Sequence, residues 1–141
     1  MGALSLVLAT ALAAPVASAE SGRDFHWSGN VASGTTLSIS DVNGKIVATH
    51  AASRAADVRA RIHSNDDSDL KDVNVVMKQW AGHVAFCAVY SGQTVDDKCS
   101  VSGSHTDMKT HETVDFTVTV PDGVPLDAKT VNGAVSATGL N

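Results

Sequence analysis

From Asp24 onward the apolar residues of this chain recur at every second position in short runs, which is the period of half-buried strands. Leu37-Ser38-Ile39 alternates, and Val42-Asn43-Gly44 then leads into Ile46-Val47-Ala48. Val58-Arg59-Ala60-Arg61-Ile62 puts its arginines on one face and its aliphatics on the other. Val73 to Trp80 reads as a further strand, and Ala81-Gly82 turns the chain into the run Val84-Ala85-Phe86-Cys87-Ala88-Val89-Tyr90. That run is apolar on both faces and is therefore predicted to be a central strand. Val114 to Val120 has apolar residues strictly two apart until Pro121-Asp122-Gly123 stops it. Ala51 to Ala60 is Ala-rich but lacks a 3.6-residue stripe, so it is predicted as a connection followed by a strand. Ser64 to Asp72 and Ser100 to Thr113 read as loops, the second long enough to be functional.

One phrase occurs twice: Val42-Asn43-Gly44-Lys45-Ile46-Val47-Ala48-Thr49 and Val131-Asn132-Gly133-Ala134-Val135-Ser136-Ala137-Thr138. Asn43, Gly44, Asn132 and Gly133 are predicted as structural turns, because Asn and Gly tolerate the positive φ of tight turns. A repeated strand-turn-strand unit predicts a stack of similar rungs. The expected fold is all-β: a short-stranded sheet or sandwich region leading into a β-solenoid of parallel β-helix type, with a two-sheet sandwich as the alternative. The second copy runs to Asn141 with no polar cap, whereas repeat architectures shield their last rung. The expectation is a domain truncated at its C-terminal end, or an open rung through which chains self-associate.

Leu4 to Val16 is uncharged and apolar, and Ala17-Ser18-Ala19 fits the small-residue pattern of a signal-peptidase site. Residues 1–19 are therefore expected to be a cleaved signal peptide, although no Lys or Arg precedes the apolar run, and 20–141 a single domain. This predicts export to the periplasm, cell surface or exterior. No second apolar run is long enough to span a membrane after cleavage. The net charge of −5 argues against nucleic acid as a partner, since that needs a basic footprint. Cys87 and Cys99 are the only two cysteines; in an exported chain such an isolated pair is most simply a structural disulfide.

The candidate chemistry is thin. Asn65-Asp66-Asp67-Ser68-Asp69 begins as a calcium loop does, but Leu70 stands where a Gly is required and Val76 where a Glu is required. His105, Asp107, His111 and Glu112 crowd one polar loop, yet their spacing matches no zinc signature. Ser102-Gly103-Ser104 beside His105 is no nucleophile elbow. Asp115 and Asp127 are carboxylate candidates only in the generic sense in which β-solenoids carry acid pairs. His26-Trp27, Trp80 and Tyr90 are able to stack on sugars, but a small core also needs its few aromatics. Arg54, Arg59, Arg61 and His63 form a basic stripe that suits a solvated strand face or blunts an edge. The expectation is no catalytic residue, no metal and no cofactor.

The order of several segments carries a resemblance. Phe25-His26-Trp27-Ser28-Gly29, Asp41-Val42-Asn43-Gly44, Val84 to Tyr90, Cys99, Val118-Thr119-Val120-Pro121-Asp122-Gly123 and Thr130-Val131-Asn132-Gly133 together resemble the bacterial putative-adhesin domain family of unknown function. The resemblance covers nearly all of 24–141. It implies an exported β-solenoid-type protein with a Cys87–Cys99 disulfide and repeated Asn-Gly turns. It also implies a non-enzymatic, adhesin-like role against a cell-envelope or surface component. The alternative is a carbohydrate-binding module or a glycan-active hydrolase.

Overall fold

The computed structural model describes residues 22–64, 70–103 and 112–140. The expected signal peptide (1–19), the acidic stretch 65–69 and the histidines of 104–111 lie outside these residues. The strands are β1 (Gly22–Asn30), β2 (Thr36–Ser40), β3 (Ile46–Ala51), β4 (Ala55–His63), β5 (Asn74–Trp80), β6 (His83–Val89), β7 (Thr94–Val95), β8 (Val101–Ser102), β9 (Thr113–Pro121), β10 (Leu126–Lys129) and β11 (Val135–Thr138). They form a five-stranded sheet of order β1-β4-β9-β3-β11 and a four-stranded sheet of order β10-β2-β6-β5; β7 and β8 pair as a separate small hairpin. Both large sheets are mixed. In the first, β4 runs antiparallel to β1 and β9, whereas β3 runs parallel to β9 and β11. In the second, β2 runs parallel to β10 and β6, and β5 is antiparallel to β6. The all-β expectation holds, and this two-sheet arrangement is compatible with the sandwich alternative.

The alternation read from the sequence decides which side of each strand is buried. Leu37 and Ile39 of β2, Phe86 of β6, Val58 and Ile62 of β4, and Phe116 and Val118 of β9 meet in one core between the sheets. Phe25 and Trp27 of β1 complete it, with ring centroids 5.9 Å and 5.2 Å from Phe86. Trp27 and Tyr90 thus serve packing rather than sugar stacking, and β6 is a central strand as expected. The arginines of β4 do not blunt an edge, because β4 lies between β1 and β9. They are paired instead: Arg61 with Asp24 at 3.1 Å and Arg59 with Asp57 at 2.9 Å, while His26 joins Asp57 at 2.6 Å.

The two Val-Asn-Gly copies are corners, each passing the chain from the four-stranded sheet to the five-stranded one. The second lies on the first in parallel register: Leu126 faces Leu37, Asn132 faces Asn43, and Val135 faces Ile46. Positive φ explains only part of this. Gly44 has φ +143°, but Asn43, Asn132 and Gly133 do not adopt positive φ. Gly133 is needed for close approach, since a Cβ there would sit 1.7 Å from the Gly44 carbonyl oxygen. A Cβ on Gly44 would in turn sit 2.0 Å from the Val114 oxygen. The corners are glycine because three backbones stack there.

Candidate functional site

A groove of about 490 Å³ lies on the outer face of the four-stranded sheet. Its floor follows from the β2 pattern. With Leu37 and Ile39 turned to the core, Thr36, Ser38 and Ser40 point outward on a central strand, and their small side chains leave a trench. Register sets the neighbours. Thr36 lies beside His83, Ser38 between Ala85 and Asp127, and Ser40 between Cys87 and Lys129. His83 is paired across to Trp80 of β5, and the two rings stack at 4.8 Å with planes 18° apart. On the opposite side, Lys129 Nζ stands 3.8 Å from Asp127 Oδ2.

The remaining wall comes from the segment between β6 and β9. Cys87 points out of the sheet and forms a disulfide with Cys99, confirming the expected pair. The bond draws the β7–β8 hairpin and its turn back over the sheet, where Lys98, Ser100 and Val101 line the groove. Asp96 organises that turn by accepting the backbone N–H groups of Lys98 and Ser100 at 2.8 Å and 2.9 Å. These bonds hold its carboxyl below the usual range. Lys78 of β5 reaches toward Asp97 at 3.8 Å, a second tie between hairpin and sheet.

Asp41 closes the end of the groove nearest the first corner, with its side chain buried. Its Oδ1 accepts the Tyr90 hydroxyl at 2.8 Å and the Val42 N–H at 2.7 Å, while Oδ2 has no hydrogen-bond partner among the described residues. Burial outweighs these bonds and pushes the Asp41 carboxyl up to about 6, with Asp115 adding to the rise. Tyr90 is raised well above the usual phenol range, by burial first and then by the Asp41 charge. Its hydroxyl also lies 3.0 Å from the Asn43 carbonyl, so it pins the corner to the end of β6.

Of the residues singled out in the sequence, Trp80 reaches the groove face and Asp127 its wall. Asp115 lies on the other sheet, where it accepts Lys45 N–H at 3.0 Å and meets His63 at 2.9 Å. The two acids belong to different sheets and form no pair. Ser102 sits in β8 beside Thr94 at 3.2 Å, and Glu112 is buried. The acidic stretch Asn65 to Asp69 and the loop residues Ser104, His105, Asp107 and His111 fall outside the described residues. Among the described residues, no group of three or more His, Cys, Asp or Glu is placed to hold a metal, and no helix is long and apolar enough to cross a membrane. Sequence reasoning missed the hydroxyl row and the Asp41–Tyr90 pair. The first was visible as hydroxyl residues alternating with aliphatics from Thr36 to Ser40; the second joins residues far apart in the chain and left no local signal.

No protein-family model matches the chain, and no curated protein does. Among solved structures, the chain is similar to a crystal structure of a putative cell adhesion protein from Clostridium sporogenes ATCC 15579, with 5% identity and a TM-score of 0.44. The match covers 82% of this chain and 50% of that one, so this chain spans about half of that protein's length.

Proposed function

We propose that this is a non-enzymatic, exported, adhesin-like protein of the cell envelope or exterior, which makes contacts with a surface component or another chain through its β-scaffold. The observation that carries this reading is the stacked pair of Val-Asn-Gly units. Ile46 of the inner copy is fully buried, yet Val135, its register partner in the outer copy, is 45% exposed and Val131 is 75% exposed. The outer coil therefore presents apolar side chains beside a strand edge that no described strand pairs with, the arrangement used when a strand or coil from elsewhere is added. In this reading β10 and β11 open a stack that further coils extend as a β-solenoid. The disulfide supports an oxidising compartment. The placement of Asp115 and Asp127 on different sheets favours a scaffold over a glycan-cleaving acid pair.

The test is the binding of fluorescently labelled protein to its own producing cells. Saturable cell association that Val135→Lys weakens is the expected result; Val131 is left unchanged because it also lines the groove on the four-stranded sheet. No association, or association that the variant leaves unchanged, refutes the reading.

A further inference from the structure

We infer that the groove on the four-stranded sheet is a carbohydrate-binding site that takes an oligosaccharide lying along β2, between Trp80 and the Asp127–Lys129 pair. Four observations point to this chemistry. First, the floor is a row of hydroxyls on a rigid central strand: Thr36, Ser38 and Ser40 all line the cavity. Hydroxyls both donate and accept, which suits a ligand whose own groups do the same. Second, the stacked Trp80–His83 pair forms an aromatic wall at one end of that row, and an indole is suited to the apolar C–H face of a pyranose. Third, the opposite wall offers a carboxylate and an ammonium close enough to compensate each other, 3.8 Å apart. Sugar hydroxyls bridge such a pair without carrying charge into the site. Fourth, the volume lies within the range of about 300–1,000 Å³ typical of small-molecule sites.

Other ligand classes fit less well. Both neighbours of β2 are paired to it, so its backbone has no open edge onto which a peptide strand adds. The hydroxyl floor and paired charges do not suit a lipid chain. The chain's net charge of −5 does not suit a nucleic acid. The disulfide also acquires a role here: it holds the hairpin that makes one wall, so the site is formed before a ligand arrives. The inference stands on the groove alone and does not depend on where the protein is displayed.

The experiment is an array of immobilised neutral and acidic oligosaccharides probed with the oxidised, full-length protein as purified from its producing cells. The soluble form of any retained oligosaccharide is then titrated while tryptophan fluorescence is followed. The expected result is saturable binding that falls about tenfold or more in Trp80→Ala, as loss of an aromatic platform predicts. Asp127→Ala, on the far wall, is expected to weaken the same binding. Asp127 is solvent-exposed, so this variant reads the site even if Trp80→Ala perturbs the fold. An array with no retained oligosaccharide overturns the inference, as does binding that the folded variants leave unchanged. Neither result touches the cell-association test above, so the two proposals fail separately.

Discussion

Asn132 donates its side-chain amide to the Oδ1 of Asn43 at 2.9 Å, so two residues 89 positions apart sit one above the other at the same point of two corners. The bond is part of a backbone stack. Gly44 N–H donates to the Asn132 carbonyl at 3.2 Å, and Asn132 N–H to the Val42 carbonyl at 2.7 Å. The repeated sequence is therefore a repeated contact, with each Asn-Gly pair completing the hydrogen bonding of the other.

This stack makes the two glycines unequal. Gly44 is enclosed between Gly133 and Val114 and has a positive φ, whereas Gly133 has an ordinary φ and meets Gly44 and the Thr130 side chain. Gly44→Ala is expected to abolish cooperative unfolding, because the new methyl has nowhere to go and the backbone cannot relax. Gly133→Ala is expected to remain folded but lose about 2 kcal/mol, as the outer corner lifts away. Urea denaturation followed by circular dichroism measures both. Equal effects at the two positions would show that the corners are not stacked in this order.

Removing the disulfide separates two roles of the bond. In the chain-entropy model, a loop of this size contributes about 3 kcal/mol. Cys87→Ser with Cys99→Ser is expected to lower the urea midpoint accordingly. It should also raise amide exchange in 94–102 well above that in β6, since the exposed Lys78–Asp97 pair, a side-chain tie from hairpin to sheet among the described residues, is weak. A stability loss without faster exchange in the hairpin would mean that other contacts hold the groove wall.

Much of this fold was legible because β-sheets write their burial into the sequence with a period of two. The strict alternation of β9, the doubly apolar run of β6 and the Cys87–Cys99 pair all correspond to features of the structure. Which strands become neighbours was not legible. β9 lies between β3 and β4, and β1 lies beside β4, through pairings far apart in sequence that local pattern does not encode. The glycine corners were found for only part of the right reason: turn chemistry accounts for Gly44, while the crowding at Gly133 exists only once two distant segments meet. The groove was harder still. It needs hydroxyls from β2, a ring from β5, charges from β10 and a wall brought over by the disulfide; Trp80, Asp127 and the cysteines stood out one by one, but nothing local showed that they meet over a row of hydroxyls.

Tyr90 ties the groove end to the first corner, and its hydroxyl is the piece to remove. Tyr90→Phe keeps the buried ring but deprives Asp41 Oδ1 of its 2.8 Å donor and the Asn43 carbonyl of its 3.0 Å contact. Oδ1 keeps the Val42 N–H, so the variant removes one of its two donors. A hydrogen bond to a charged group is worth about 1.5–3 kcal/mol, and that is the expected loss at pH 7. The loss should be smaller at pH 4.5, where a neutral Asp41 needs the donor less. A loss independent of pH would show that Tyr90 supports the corner without acting on the carboxylate.

Asp41 gives the protein a stability that falls as pH rises through the mildly acidic range. Its carboxyl sits at about 6 in the folded protein against 3.8 for the ordinary side chain, so between these values the folded state holds a proton that the unfolded state has released. More protons on the native state mean that stability declines with rising pH, and the decline is complete once pH passes the folded value. Over that window the loss is about 3 kcal/mol. Asp57 and Asp96 act in the opposite sense but elsewhere. Their lowered values, set chiefly by the bond to His26 and by backbone N–H groups respectively, change stability only below about pH 4. Asp41→Asn cannot ionise but keeps an oxygen for the Tyr90 hydroxyl and the Val42 N–H. The difference in unfolding free energy between wild type and Asp41→Asn, measured by urea titration from pH 4.5 to 7.5, is therefore expected to shift steadily against wild type and level off above pH 7. A flat difference across that range would mean that Asp41 is already ionised in the fold, its charge satisfied by the Tyr90 and Val42 donors.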